Sequence, residues 1–303
     1  MITFWIRAAR LRTLPLSLSG ILVGLALSPK QGLLDPAIMA GCICTTLLFQ
    51  ILSNFANDLG DSQKGTDNVH RIGPSRTVQS GMISPQSMKR AVLIFAVLSM
   101  LSATILLYFA MANLSHKALW FYLILAFLCI IAAITYTVGK KAYGYYGLGD
   151  LMVFFFFGGV AVLGTKHLFE SAFNIEEFLG ALAIGSWSTM VLNLNNMRDI
   201  QNDANSKKRT IVVFLGASRA KIYHYLLFTS AFLAWLILLI SLISKQHSWF
   251  LAAAALPLLP LSLHLLRVRK IDNSRDFDPE LKKVALSTFA AALLLFLLSI
   301  LYH

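Results

Sequence analysis

Two stretches of the 303-residue chain gather amides and carboxylates at helical spacing. The first holds Asn54, Asn57, Asp58 and Asp61, followed by Lys64 and Asp67. The second holds Asn195, Asn196, Arg198, Asp199 and Asp203, followed by Lys207, Lys208 and Arg209. Steps of three and four residues put Asn54, Asp58 and Asp61 on one stripe of a helix, with Asn57 beside Asp61. The same spacing puts Asn196, Asp199 and Asp203 on a second stripe. Carboxylates so placed repel one another, so each stripe calls for a cation. Oxygen donors with no His or Cys favour a hard ion, Mg²⁺ before Zn²⁺. Mg²⁺ takes one or two carboxylates and completes its shell with water and phosphate, which points to a phosphate-bearing substrate. Lys64, Arg71, Arg76, Lys207, Lys208 and Arg209 lie close in sequence to neutralise the remaining charge of such a substrate. Solvated acids at helix ends are the plainer reading of either cluster alone; two clusters at equivalent helix ends speak against it.

The elements that position these residues are membrane spans. The chain is 57% hydrophobic and 13% charged, with a mean hydropathy of +0.69. That is more apolar surface than a soluble fold of this length buries. A water-soluble enzyme, a disordered chain and a disulfide-stapled secreted domain are thereby excluded. Runs of about 20 apolar residues fall near 14–29, 36–56, 91–112, 118–137, 148–165, 178–196, 222–244, 248–266 and 284–302. The expected architecture is all-α: about nine transmembrane helices forming one domain over residues 1–303. The fifth run is short and rich in glycine. Counted across this map with the N-terminus inside, the inner segments carry 22 of the 26 basic residues and 10 of the 14 acids. The outer segments carry Lys30, Lys117, Lys166 and Lys245 with Asp35, Glu170, Glu176 and Glu177. The whole net charge of +12 thus sits on one face. This is the pattern of a cytoplasmic N-terminus and an outer C-terminus, and it gives no pointer to nucleic acid. Arg7, Arg10 and Arg12 before an apolar run imitate a signal peptide, but the spans that follow favour a first transmembrane helix. Cys42, Cys44 and Cys129 fall within spans and read as packing residues. His70 reads as a solvated loop residue.

At these positions the sequence resembles the UbiA-type intramembrane prenyltransferases. The resemblance rests on Asn57, Asp58 and Asp61 after the second span, Asp199 and Asp203 after the sixth, and Tyr136 four residues before Lys140 at the end of the fourth. It implies helices around a central cavity, with a polar pocket at the cytoplasmic end and a lipid-facing opening for a prenyl tail. It also implies Mg²⁺ ions joining an allylic diphosphate to Asn57, Asp58, Asp61, Asp199 and Asp203, in the inner or plasma membrane of the cell. On this reading Asp61, Asp199, Asp203, Lys140 and Tyr136 serve catalysis. Arg71, Arg76, Lys208, Arg209, Asn54, Asn196 and Arg198 would bind the substrates, a polyprenyl diphosphate and an aromatic acid. Further stretches, Arg12 to Pro15, Arg71 to Arg76, Gly147 to Leu151 and Asn195 to Asp199, are similar to the branch of the family that prenylates a dihydroxynaphthoate with loss of carbon dioxide. The chain departs from the family at Gly65, where a third acid is common, so Asp67 is not expected to touch metal.

Several roles stay open at this level. Tyr136 either faces an allylic cation with its ring or anchors the interface. Asp150 either caps a helix or lines the substrate pocket. Hydroxybenzoate or homogentisate are alternative acceptors. A transporter is the rival class, but its charges would sit near the bilayer midplane, where each costs roughly 2.5–3.5 kcal/mol. Here they sit at helix ends. A lipid phosphatidyltransferase shares Mg²⁺ and membrane-edge aspartates, yet its Asp-Gly signature is missing from both clusters.

Overall fold

The structure, a computed structural model, describes residues 2–28, 35–68, 71–170 and 172–301. Lys30, His70 and the ends of the first and last expected spans lie outside them. Among the described residues every regular element is helical. Helix α1 (Ile2–Ala9) leaves Ile2, Phe4 and Ile6 exposed, an apolar face suited to the membrane interface. A 3₁₀ turn at Leu11–Thr13 leads into α2 (Leu14–Ala26). The chain continues through α3 (Pro36–Gln63), α4 (Pro85–Ala110), α5 (His116–Thr135), α6 (Gly149–His167) and α7 (Ile175–Arg198). Two short helices, α8 (Ile200–Asn205) and α9 (Ile211–Leu215), precede α10 (Ala217–Gln246), α11 (Trp249–Lys270) and α12 (Phe277–Leu301).

Among the described residues eight helices are long and apolar enough to cross a membrane. Within the expected first span α2 covers 13 residues. Helix starts follow local chemistry: Asp35 accepts from the Ala37 amide, Ser84 from Ser87 and Ser115 from Ala118, with proline in the first turn of α3 and α4. Asn174 and Glu177 form a capping box ahead of α7.

Helix α7 is the buried spine, with Trp187, Met190 and Leu194 fully covered. It packs between α6 and α10, and α12 packs on α2 and α7. Glycines let α6 approach: a Cβ on Gly158 would lie 2.3 Å from the Ala181 carbonyl, and one on Gly185 would lie 2.8 Å from that of Phe154. The glycine-bearing stretch Phe154–Leu163 winds as a π-helix, and the span is completed by α-helical turns on either side of it. A buried polar chain ties four helices together. Asn193 Oδ1 lies 3.0 Å from His224 Nδ1, the two His Nε2 atoms are 2.8 Å apart, and His264 Nδ1 lies 2.7 Å from Glu280. Pairing both histidine rings with polar neighbours is what makes such a chain tolerable inside a membrane protein.

The other half packs α3 against α4 and α5 around Leu52, Phe55, Leu59, Met88 and Ile130. Between the halves lies a largely apolar cavity of about 370 Å³, bounded by residues such as Phe49 and Gln50 on α3, Tyr122 and Ala126 on α5 and Phe157 on α6. Its polar end is formed by Asn54, Asn57 and Tyr136.

Candidate active site

Helix α3 runs on past the apolar segment, so the first stripe forms as a continuous helical face through Asp61. Its members then diverge. Asn57 lines the cavity and accepts from the Thr137 hydroxyl at 3.3 Å, while the same hydroxyl reaches the Ala56 carbonyl at 3.0 Å. The close approach needs Gly60, whose Cβ would lie 2.6 Å from the Thr137 carbonyl carbon. Asp61 accepts from Tyr145 Oη at 2.8 Å and faces Lys208 Nζ at 3.8 Å. The Tyr145 hydroxyl also meets Thr66 Oγ1 at 2.6 Å, so Thr66 supplies the proton of that contact. Lys64 and Lys208 both lie over the Tyr145 ring, at 4.1 and 5.4 Å from its centre. Asp58 turns away from this group. Its carboxylate accepts from the Thr77 amide and hydroxyl at 3.1 and 2.6 Å and from the Val78 amide at 3.3 Å. Both oxygens of Asp58, expected in the metal set, thus anchor the loop 71–83.

The second stripe is broken rather than continuous. Helix α7 ends at Arg198, Asp199 takes a non-helical conformation (φ −99°, ψ 12°), and α8 restarts at Ile200. The cause is local: Arg198 clamps Asp199 through Nε and Nη2 at 3.2 and 2.7 Å. The same guanidinium bonds Asn195 Oδ1 at 2.8 Å and pairs with Asp278 on α12. Arg198, expected to bind substrate, holds Asp199 in place. Asp203 stays in register through its amide, which donates to the Asp199 carbonyl at 2.9 Å. Asn196 is buried on the last turn of α7. Arg71 joins the clusters, lying 3.2 Å from Asp67 and 3.5 Å from Asp199. Arg76 lies 3.5 Å from Asp67, so Asp67 serves as counter-ion to both arginines. Asn202 donates to the Thr66 carbonyl at 2.8 Å, stitching the two motif loops together.

The carboxylates differ in electrostatic state. For Asp199, burial is outweighed by Arg198 and then Arg71, and its pKa falls below the ordinary value. Asp203 has no cation within ion-pair distance among the described residues; burial, and then Asp199 and Asp61 against the pull of Lys208, push it up to about 7. Burial opposes the charge of Lys208, but Asp61 and Asp203 outweigh it and raise the lysine above its usual range. The oxygen-only donors Asn57, Asp61, Asp199 and Asp203, one of them uncompensated, suit a hard divalent cation. Among the described residues no three carboxylates, histidines or cysteines converge on one point.

Tyr136 caps the end of α5, lines the cavity and meets Tyr143 edge-on with ring centres 5.3 Å apart. Lys140 and Arg209 are exposed; Arg209 contributes its backbone amide to the Tyr145 carbonyl. Asn54 lines the cavity while its amide donates to the Ala9 carbonyl at 2.8 Å. Asp150 is buried at the start of α6 with Oδ1 unpartnered among the described residues. Tyr145, Thr137 and Thr66 were not among the residues expected from sequence. Their one signal is the aromatic run Tyr143, Tyr145 and Tyr146 directly after Lys140 and Lys141.

The assembly of long apolar helices, an apolar cavity and a cation-and-carboxylate pocket at one end defines a multi-pass membrane protein with a site for an amphiphile bearing an anionic head. Residues 17–286 match the UbiA prenyltransferase family, and the chain belongs to that family of prenyltransferases. It is 44% identical over 255 residues to 1,4-dihydroxy-2-naphthoate octaprenyltransferase of Escherichia coli, covering 83% of this chain and 82% of the relative. The Haemophilus influenzae protein of the same name is 40% identical over 287 residues, 93% of this chain and 91% of the relative. The fold matches a UbiA homologue from Archaeoglobus fulgidus solved with DMAPP and Mg²⁺, with a TM-score of 0.60 at 14% identity over 95% of this chain and 98% of that one.

Proposed function

We propose that the protein transfers a polyprenyl group from an allylic diphosphate to 1,4-dihydroxy-2-naphthoate. The bond from the allylic carbon to the diphosphate oxygen breaks, and a bond to the ring carbon that carries the carboxylate forms. Carbon dioxide and diphosphate leave, giving demethylmenaquinol. The observation that carries this reading is an apolar cavity that ends at Asn54 and Asn57, one helical turn before Asp61, which meets Lys208 of the second motif at 3.8 Å, in a chain 40–44% identical to two 1,4-dihydroxy-2-naphthoate octaprenyltransferases.

Asn57, Asp61, Asp199 and Asp203 would hold Mg²⁺, which when bound offsets the charge developing on the leaving diphosphate; the fit lies in their oxygen-only donors and in the uncompensated Asp203. Lys208 and Lys64, gathered over Tyr145, bind diphosphate oxygens, with Arg76 and the exposed Lys140 and Arg209 completing the positive rim. Tyr145 and Thr66 orient Asp61, while Arg198 and Arg71 orient Asp199. Tyr136 presents its ring to the allylic carbon from the cavity wall. The apolar cavity takes the prenyl chain and keeps water from the electrophile. The chain acts as one domain of nine spans in the plasma membrane, N-terminus and clusters facing the cytoplasm, as the inner share of 22 of 26 basic residues supports.

The test is a reconstituted assay with Mg²⁺, labelled prenyl diphosphate and a panel of aromatic acids. Label is expected in a lipid product with the naphthoate alone. Product with hydroxybenzoate or homogentisate and none with the naphthoate would replace the acceptor while leaving the reaction class intact.

A further inference from the structure

A polar stripe runs along α3 where that helix borders the cavity. Thr46, Gln50, Ser53 and Asn57 follow at steps of four, three and four residues, which stacks them on one face. Every member of the stripe lines the cavity, whereas Leu47, Leu48, Ile51 and Leu52 between them do not. The stripe ends at Asn57, a member of the set proposed to hold Mg²⁺. It therefore starts beside the diphosphate and leads into the cavity. Ser53 and Gln50 stand four and seven residues before Asn57, about 6 and 10 Å along the helix axis.

These side chains have hydrogen-bonding capacity to spare. Among the described residues the hydroxyls of Thr46 and Ser53 and the side-chain carbonyl of Gln50 have no hydrogen-bond partner. The Gln50 amide nitrogen makes two long contacts, 3.4 Å to Asn54 Oδ1 and 3.5 Å to Thr13 Oγ1. Bonds this long are readily exchanged for a ligand. Other hydroxyls of the cavity are satisfied within the protein. Thr45 meets Ser102 at 2.8 Å, and Ser17 donates to the Leu14 carbonyl at 2.8 Å. The wall from α6 differs in kind, being apolar through Met152, Phe156, Phe157 and Val160.

A prenyl chain suits the α6 wall and not the stripe. Hydrocarbon laid over free hydroxyl and amide groups strips them of water and returns no hydrogen bond. The stripe therefore calls for a ligand with hydrogen-bonding groups of its own. Its members carry no charge, so the matching group is neutral and both donates and accepts, as a phenolic hydroxyl does. Gln50 and Ser53 each offer a donor and an acceptor in return.

We propose that Gln50 and Ser53, with Thr46 beyond them, form the subsite that hydrogen-bonds the phenolic hydroxyls of the aromatic acceptor, laying its ring along α3 while the prenyl chain takes the α6 wall. The assignment rests on the acceptor reading above, and the experiment separates the two. Full-length protein in nanodiscs is first loaded with Mg²⁺ and an unreactive prenyl S-thiolodiphosphate. Binding of 1,4-dihydroxy-2-naphthoate and of 1-hydroxy-2-naphthoate, which lacks the hydroxyl farther from the carboxylate, is then measured under reducing conditions. The wild type is expected to prefer the dihydroxy acid by about tenfold, as for one well-formed hydrogen bond, and Gln50→Met to bind the two acids alike. Ser53→Ala should weaken both acids by about threefold. Affinity for the donor analogue should change by less than about twofold in each variant. Thr45→Val, which removes a hydroxyl already paired with Ser102, should keep the wild-type preference. If Gln50→Met does not take up the donor analogue, Gln50→Asn carries the test. It keeps the amide but withdraws it by one methylene, so a preference reduced about threefold or more is expected. A wild type that binds both acids alike, an undiminished preference in the decisive Gln50 variant, or full-strength binding by Ser53→Ala overturns the assignment. So does loss of the preference in Thr45→Val, or failure of both Gln50 variants to take up the donor analogue. Loaded wild type that binds neither acid overturns the acceptor reading itself.

Discussion

At the scale of single residues, the site is a set of carboxylates in different electrostatic states. Asp199 is held charged by two arginines, whereas Asp203 has no cation within ion-pair distance among the described residues and is pushed up to about 7 by burial and its acidic neighbours against the pull of Lys208. A proton on Asp203 must leave before the carboxylate can bind a cation. Below pH 7 the proton competes and above it the competition ends, so Mg²⁺ affinity should rise with pH. Calorimetric titration of Mg²⁺ in the presence of prenyl diphosphate is expected to give affinity about tenfold higher at pH 8 than at pH 6. Tyr145 offers a second residue-scale test. Phenylalanine at this position keeps the ring beneath Lys64 and Lys208 but removes the donor to Asp61. Loss of a group that orients a metal ligand typically costs 10–100-fold in metal affinity. Tyr145→Phe is therefore expected to raise the Mg²⁺ concentration for half-maximal turnover by about tenfold, and an unchanged requirement would detach Tyr145 from the site. The carboxylates themselves were legible from spacing alone, because i, i+3 and i+4 steps are a property of the chain. Which of them face the cavity was not legible. Asp58 is claimed by Thr77 and Val78, 19 and 20 residues away, and Arg198 by Asp278, 80 residues away.

At the scale of elements, glycine sets how close the helices come. Gly158 lets α6 meet α7, with no room for a methyl group beside the Ala181 carbonyl. Gly164, on the same helix, has only Tyr122 at an ordinary 3.9 Å. Gly158→Ala should destabilise the protein by about 1–3 kcal/mol, the usual cost of overpacking, while Gly164→Ala should be nearly neutral. Thermal unfolding of the two variants in detergent checks the contrast. The helix starts were written in the sequence by Asp35, Ser84, Ser115 and Asn174. The break at Asp199 was not, because a regular stripe of Asn196, Asp199 and Asp203 is equally compatible with an unbroken helix. Likewise nothing along the chain links Asn193, His224, His264 and Glu280, which only the packing of α7, α10, α11 and α12 brings into one chain of contacts.

At the scale of the whole molecule, each half supplies one cluster, and the cavity lies between them. Helix α3 brings Asn57 and Asp61; the α7–α8 junction brings Asp199 and Asp203. Arg71 and Asn202 lock the two sides together across the motif loops. The asymmetry of basic residues predicts that both clusters face the cytoplasm. Cysteines introduced at Ser62 and Ser206 in a background lacking Cys42, Cys44 and Cys129 should react with a membrane-impermeant reagent only from the inner side. Labelling from outside would invert the orientation.

The central claim is that the clusters act as one site, so that neither half is sufficient. It is tested most directly by single-turnover prenyl transfer in reconstituted Asp61→Ala and Asp199→Ala proteins, each checked for normal expression and membrane insertion. Both variants are expected to lose turnover almost entirely. Full activity in either one would contradict the joint site and the chemistry assigned to it.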